Sequence, residues 1–506
     1  MNFPRSSGIL LHPTSLPGAY GIGELGAEAH AFADFLHDAG QRIWQVLPLG
    51  PTGYGDSPYQ CFSAFAGNPL LISMDELVER GYLGATDLAT RPAFAENIVD
   101  FGAVIAWKLP LLRKAFESFR RGSGAELQRF DDFCARHTTW LEEFALFMAL
   151  KDEHNLVSWT EWEPELALRD PAELARARER SGDDIECNKF IQFVFEEQWC
   201  ELKAHCACND IRIMGDLPIY VALDSADVWD NHSLFELNED GKPRVVAGVP
   251  PDYFSATGQL WGNPIYRWEE HARTGYAWWI ARFRRVLELV DMIRLDHFRG
   301  FEAYYEIPAG ETTAVNGAWV KGPGAGLFAA LKSALGDLPI VAENLGVITP
   351  EVESLRNQFD FPGMAILQFA FGNDPQAPDF KPHNYTHHLV AYTGTHDNDT
   401  VLGWWNSQAG AGSIRSAEDV EKEMAYARRY LNSDGSDINW VMIRALIASV
   451  ANTVLYPLQD VLGVGSEGRM NLPGSSSGNW RWRFREGALT PSIAAQLKEW
   501  AATYER

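Results

Sequence analysis

The chain has 506 residues, apolar and charged fractions of 46% and 22%, and a net charge of −25. This length buries a large core without disulfide or metal staples, and the excess of acid argues against a nucleic-acid backbone or an anionic membrane as the main partner. A neutral ligand is left open, as is a binding role for some of the 18 Trp, 16 Tyr and 28 Phe, most of which belong to a core.

In chain order, short apolar runs at 8–11, 43–47, 211–214, 292–295, 339–342, 365–369, 389–392 and 453–456 each end in polar, Pro or Gly residues. Such runs predict buried parallel strands. Helical patterns lie between many of them. Ala29, Phe32, Leu36 and Ala39 follow the first run, and Gly40 stops that helix. Trp279, Phe283, Val286, Leu287 and Val290 lead into the fourth. Leu327, Leu331 and Leu335 lead to the fifth, with Gly336 at the C-cap. Thr349-Pro350-Glu351 predicts an N-cap, a proline at the first helical position and an acid in the first turn. Eight strands alternating with helices predict an α/β chain folded as a (β/α)₈ TIM barrel. An open doubly wound sheet is the alternative.

The whole of 1–506 is expected to be one catalytic barrel domain. Residues 51–186, charged and helix-rich, are expected as an inserted helical subdomain between strands 2 and 3, broken at Pro110, Pro164 and Pro171. Residues 217–270, rich in Pro, Gly, Asp and aromatics, are expected as an active-site loop insertion after strand 3. The Gly/Ser-rich 459–488 forms a further loop. All three lie at the face where barrel enzymes do their chemistry.

The six cysteines are too sparse for a disulfide framework. Cys200, His205, Cys206 and Cys208 form one cluster, expected to be buried free thiols rather than a metal site. No apolar h-region opens the chain and no run approaches the roughly 20 residues of a membrane span, so a cytoplasmic location is expected. Gly21-Ile22-Gly23-Glu24-Leu25-Gly26 and Gly463-Val464-Gly465-Ser466-Glu467-Gly468 match a dinucleotide-binding pattern but lack its strand–turn–helix context. Gly474-Ser475-Ser476-Ser477-Gly478 lacks the helix of a nucleophile elbow.

The chemistry-bearing residues stand just past the predicted strands: His12 after the first, Asp216 after the third, Arg294, Asp296 and His297 after the fourth, Glu343 after the fifth, His396 and Asp397 after the seventh. In a closed barrel these ends meet at one mouth. Clustered carboxylates repel and persist mainly where chemistry or a metal uses them. A hard metal, a proton abstraction with a Lys or metal beside the base, and a glycosidase-type pair of carboxylates all compete. The set lacks Lys, and the loops offer Tyr253, Phe254, Trp261 and Tyr266 beside Gln259 and Asn263, a balance that favours sugar chemistry.

Gly53-Tyr54-Gly55-Asp56-Ser57-Pro58-Tyr59-Gln60, Gly215-Asp216-Leu217-Pro218-Ile219-Tyr220, Pro250-Pro251-Asp252-Tyr253-Phe254, Gly258-Gln259-Leu260-Trp261-Gly262-Asn263-Pro264, Arg294-Leu295-Asp296-His297-Phe298-Arg299-Gly300, Ala342-Glu343-Asn344-Leu345-Gly346 and Gly394-Thr395-His396-Asp397, in this order, resemble the 4-α-glucanotransferases (amylomaltases, or disproportionating enzymes) of glycoside hydrolase family 77. The resemblance covers nearly the whole chain. It implies a retaining double displacement on α-1,4-glucans and maltooligosaccharides, without cofactor or metal. Asp296 would be the nucleophile, Glu343 the acid and base, and Asp397 the group gripping ring hydroxyls. Retention requires the Asp296 and Glu343 carboxyls to lie ~5–5.5 Å apart. Asp216, Arg294 and His396 match supporting positions. Ser57, Tyr59, Gln259, Trp261 and Asn471 match binding positions, and Tyr54 resembles a residue of a remote glucan contact. Leu472 departs from the small or β-branched residues common there. A hydrolase with the same triad and a non-catalytic glucan-binding barrel remain alternatives.

Overall fold

The computed structural model describes residues 3–122, 124–251, 257–408, 416–475 and 477–506. Twelve strands occur among them: β1 (Ser6–Leu10), β2 (Ile43–Gln45), β3 (Arg212–Leu217), β4 (Val245–Val249), β5 (Gln259–Pro264), β6 (Met292–Leu295), β7 (Ala303–Pro308), β8 (Ala318–Lys321), β9 (Ile340–Ala342), β10 (Gly363–Ile366), β11 (Leu389–Tyr392) and β12 (Thr453–Pro457). Eight form one parallel sheet in the order β10-β11-β12-β1-β2-β3-β6-β9. Every apolar run named from the sequence supplies one of them, so the predicted (β/α)₈ barrel is the fold.

The sheet curls until its edges meet. At the seam the Ala342 N–H donates to Pro362 O at 2.9 Å, and the Asn344 side chain accepts from the Met364 N–H at 2.8 Å. Inside, Ile43, Met214, Met292, Val341, Met364, Ile366, Val390, Tyr392 and Leu455 fill the barrel, while alternate residues such as Ile213 and Ile293 pack outward under the helices. The period-2 alternation of a strand then decides the site. Met214 and Asp216 share the inner face, as do Met292 and Arg294, so the polar residues of β3 and β6 stand one pleat above the apolar plug. Asp216 and Arg294 are register partners.

The helices obey their sequence signals with instructive exceptions. Gly40 and Gly336 have φ of 68° and 82° and end their helices, a conformation that glycine adopts at no steric cost. Thr349 precedes Pro350–Gln358 as its N-cap, without a side-chain cap bond. Pro164 and Pro171 each open a helix, but Pro110 lies inside the helix Phe101–Phe119 and does not break it. Pro110 is exposed, and the buried flank Val104, Trp107, Leu112 and Phe116 carries the helix past the missing hydrogen bond. Lys108 on that helix ion-pairs with Glu24 beyond β1 and donates to Leu70 O at 2.7 Å, tying the helical stretch to the barrel.

Two departures concern what residues 200–321 do. Cys206 is buried, but Cys200 and Cys208 are exposed free thiols, because 100° per residue turns them off the core face of the helix Gly182–Cys208. Residues 217–270 contain β4 and β5, which join β7 and β8 in an antiparallel sheet of order β5-β4-β7-β8. None of these four was legible in the sequence: β5 and β8 have exposed, interrupted patterns, and the mostly buried β4 and β7 sit in stretches dominated by Pro, Gly and charged residues. Among the described residues no helix is long and apolar enough to cross a membrane.

Candidate active site

Four strand ends deliver the acids to one mouth. Asp216 is the penultimate residue of β3, Asp296 follows β6, Glu343 follows β9, and Asp397 lies five residues past β11.

Arg294 is the electrostatic centre. Its Nη1 donates to Asp216 Oδ2 at 2.7 Å and to Asp296 Oδ1 at 3.0 Å. The Arg294 and Asp216 side chains are 5% and 0% exposed, whereas Asp296 keeps 26% of its side-chain surface open to the cleft. One buried cation thus holds a buried carboxyl behind the site and an open one within it. Burial pushes the Asp216 carboxyl up, against the pull of Arg294. Tyr59 donates its hydroxyl to Asp216 Oδ2 at 2.9 Å, and its ring stacks on His396 at 5.0 Å.

Glu343 is buried differently. Its Oε2 accepts from the His297 N–H at 2.7 Å and its Oε1 from the Leu345 N–H at 3.1 Å. Desolvation is the largest influence and pushes its carboxyl up to about 8; Arg294 and the two N–H donors oppose it, and Asp296 adds to it. The His297 N–H is aimed by a left-handed backbone, φ 48°, immediately after Asp296. A non-glycine residue there costs of order 1–3 kcal/mol, and such strain gathers at functional sites. The turn that ends β6 therefore presents Asp296 and hands an N–H to Glu343 in consecutive residues.

Asp397 is more open, with 47% of its side-chain surface exposed. Asn471 Nδ2 donates to its Oδ1 at 2.7 Å, His396 Nε2 lies 3.4 Å from the same oxygen, and Arg469 Nη2 donates to its backbone oxygen at 2.7 Å. Trp261, half-buried, donates from Nε1 to Gln259 Oε1 at 3.1 Å and meets the His297 ring edge-on at 4.9 Å. Ser57 Oγ accepts from the Tyr59 N–H at 3.2 Å. Tyr253 and Phe254 lie outside the described residues. Leu472 is 38% exposed beside Asn471.

Contacts thus link Asp216, Arg294, Asp296, Tyr59, His396, Asp397 and Asn471 in one network, with Glu343 reached through the N–H of His297 beside Asp296. Tyr54 stands apart, 77% exposed on the turn Tyr54–Asp56. From the sequence His297 stood only among the groups past the fourth strand, without a specific task, and Trp480 and Arg469 carried no assignment. Trp480 packs at 5.8 Å on both Tyr59 and His396. His12 is fully buried near His396, and desolvation drives its imidazole down to about 3, so it is a neutral neighbour. Only His297, adjacent to Asp296, carried a local signal; the others reach the site from distant loops. The pairing of His205 Nε2 with Asp34 at 2.6 Å belongs to the outer surface, and among the described residues no group of three His, Cys, Asp or Glu is placed to hold a metal.

A profile of glycoside hydrolase family 77, described as 4-alpha-glucanotransferase, matches residues 11–490. The chain is 50% identical to the 4-alpha-glucanotransferase of Thermus thermophilus over the full length of both.

The chain belongs to this family.

The 4-alpha-glucanotransferase of Synechocystis is 50% identical, over 99% of this chain and 98% of that one. Among solved structures, the amylomaltase from Streptococcus agalactiae in complex with acarbose superposes with a TM-score of 0.93 at 40% identity, covering 99% of each chain. This family member is an enzyme, a 4-alpha-glucanotransferase.

Proposed function

We propose that Asp296, Glu343 and Asp397 carry the reaction of this 4-alpha-glucanotransferase by retaining double displacement on α-1,4-glucans. Asp296 attacks the anomeric carbon and forms a glucosyl ester, while Glu343 gives its proton to the departing 4-oxygen. An acceptor 4-hydroxyl then attacks the same anomeric carbon, gives its proton to Glu343, and the bond to Asp296 breaks to leave its carboxylate. Asp397 grips ring hydroxyls as the sugar flattens toward the oxocarbenium-like state. Asp216 and Arg294 orient Asp296, and His396 and Asn471 orient Asp397.

The observation that carries this assignment is the unequal environment of the two central carboxylates. Asp296 sits at 3.0 Å from a guanidinium with its edge open to the cleft, as a nucleophile must. Glu343 is desolvated and pushed up to about 8, so it holds a proton at neutral pH, as an acid must. A pH profile checks it. Above its pKa Glu343 is ionised and cannot protonate the leaving oxygen, so kcat/KM should fall as pH rises through about 8. Stability should follow the same sign. The unfolded carboxyl releases its proton near 4.5 and the native one near 8, so stability declines as pH rises across that window.

Purified protein incubated with maltotriose should give glucose and a ladder of longer maltooligosaccharides at constant total reducing ends. Rising reducing ends with glucose and maltose as products would instead identify a hydrolase.

The partition toward transfer is assigned to the segment 250–264, which includes β5. Trp261 packs against His297, whose N–H holds Glu343. It therefore shields the atoms where water and acceptor compete. Trp261→Ala should raise the hydrolysis-to-transfer ratio several-fold, read as reducing ends gained per glucose released; an unchanged ratio removes this role from Trp261. The binding assignments follow the same logic. Tyr59 bonds Asp216 and is braced by Ser57, Gln259 stands beside Trp261, and the open ring of Tyr54 suits a glucan contact away from the bond that breaks.

A further inference from the structure

Asp460 lies three residues past β12, outside the cluster described above, and is 1% exposed. Among the described residues no cation pairs with it. A carboxylate buried this way is costly unless hydrogen bonds hold it. Its Oδ2 accepts from Thr393 Oγ1 at 2.6 Å, and its Oδ1 accepts from the Val401 N–H at 2.7 Å. Thr393 directly follows β11, and Val401 opens the helix Val401–Trp405. One carboxylate therefore pins both ends of the segment bearing His396 and Asp397. The bracket is itself braced, since Asn439 Nδ2 donates to Asp460 O at 2.8 Å. The preceding Gln459 secures the adjoining loop through Gly468 O at 3.0 Å. That loop supplies Arg469 to the backbone of Asp397 and Asn471 to its carboxylate.

We infer that Asp460 is a positioning residue for glucan transfer, holding the 393–401 segment so that Asp397 meets the sugar hydroxyls. This rests on the role proposed above for Asp397. An apolar side chain would fill the site at lower desolvation cost, so packing alone does not account for an acid there. What matters is the two-point bracket. An asparagine keeps it, accepting from Val401 through Oδ1 and donating to Thr393 Oγ1 through Nδ2, whereas a leucine makes neither bond. Positional errors of about 1 Å in such a segment cost on the order of 100-fold in rate.

The experiment is steady-state glucose release from maltotriose by Asp460→Leu, Asp460→Asn, Thr393→Val and Asp397→Asn, and by the first and third combined with Asp397→Asn. Asp460→Leu should lower kcat about 100-fold with KM within about threefold, Thr393→Val should lower it about tenfold, and Asp460→Asn should stay within about fivefold of wild type. In the Asp397→Asn background the leucine and valine changes should each cost less than about threefold, because the group they position is already lost. Equal factors in both backgrounds would overturn the inference, as Asp460 would then act on the fold alone. Thr393→Val supplies the same comparison if Asp460→Leu does not fold. Wild-type kcat in Asp397→Asn by itself would overturn the role of Asp397 and the bracket's purpose with it, an outcome distinct from additivity.

Discussion

Asp296→Asn should abolish transfer from maltotriose, lowering kcat/KM by about 10⁴-fold or more. The amide is nearly isosteric and can keep a contact with Arg294, so the loss reports nucleophilicity rather than folding. Glu343→Gln should be nearly as severe on maltotriose, because a sugar 4-oxygen leaves poorly without a proton, and acid catalysis contributes typically 10² to 10⁴-fold. The two variants separate when the donor is an α-glucosyl fluoride, whose leaving group needs no proton. Glu343→Gln should then form the ester on Asp296 and stall, lacking the base for the second step. Mass spectrometry should find one glucosyl unit on a peptide containing Asp296. Asp296→Asn should form no adduct with either donor. An adduct in Asp296→Asn, or none in Glu343→Gln, would reverse or remove these roles. The alkaline fall of kcat/KM near pH 8 seen with maltotriose should be absent in the unmodified enzyme with the fluoride donor, since its leaving group draws no proton from Glu343.

Arg294→Met should damage both stability and rate. The guanidinium is buried at 5% exposure and donates to Asp216 and Asp296 with one nitrogen. Methionine fills the volume but leaves Asp216 buried without a cation and Asp296 facing it. Breaking a buried pair from one side costs about 3–5 kcal/mol, since a charge remains uncompensated. The protein avoids part of that cost by protonating the buried Asp216, while Asp296 loses the cation that orients it. kcat/KM should therefore fall by about 10²- to 10³-fold, because a misplaced nucleophile attacks poorly. Melting temperature and kcat/KM together check this. A double variant, Arg294→Met with Asp216→Asn, should regain stability over the single variant, since the stranded anion is removed. No regain would mean that Arg294 acts mainly by packing.

Much of this was local information. A run of apolar residues ended by an acid, as at Met292-Ile293-Arg294-Leu295-Asp296, states a buried strand and a polar group at its C-terminal end, because side-chain alternation and strand length are properties of neighbours in sequence. Eight apolar runs alternating with helical patterns predict a barrel over an open doubly wound sheet, and in a barrel their C-terminal ends converge on one mouth. The carboxylates, their common mouth and the aromatic loop at Trp261 were therefore readable. The antiparallel sheet β5-β4-β7-β8 was not, since its strands lie in irregular, Pro- and Gly-containing stretches and are defined by pairing across distant segments. Pro110 misled for a related reason: its local rule was outweighed by the packing of Trp107, Leu112 and Phe116.

What the sequence by itself determined is the set of chemical groups and the strand ends that carry them. The tertiary structure decided their states. Asp296 and Glu343 are carboxyls of nearly equal intrinsic acidity. One lies beside Arg294 with an edge open to the cleft, and the other is buried and raised to about 8. That division arises from burial, from one shared guanidinium and from an N–H aimed by the left-handed turn at His297. Charge interactions and desolvation depend on distance and dielectric, which exist only once remote segments have packed.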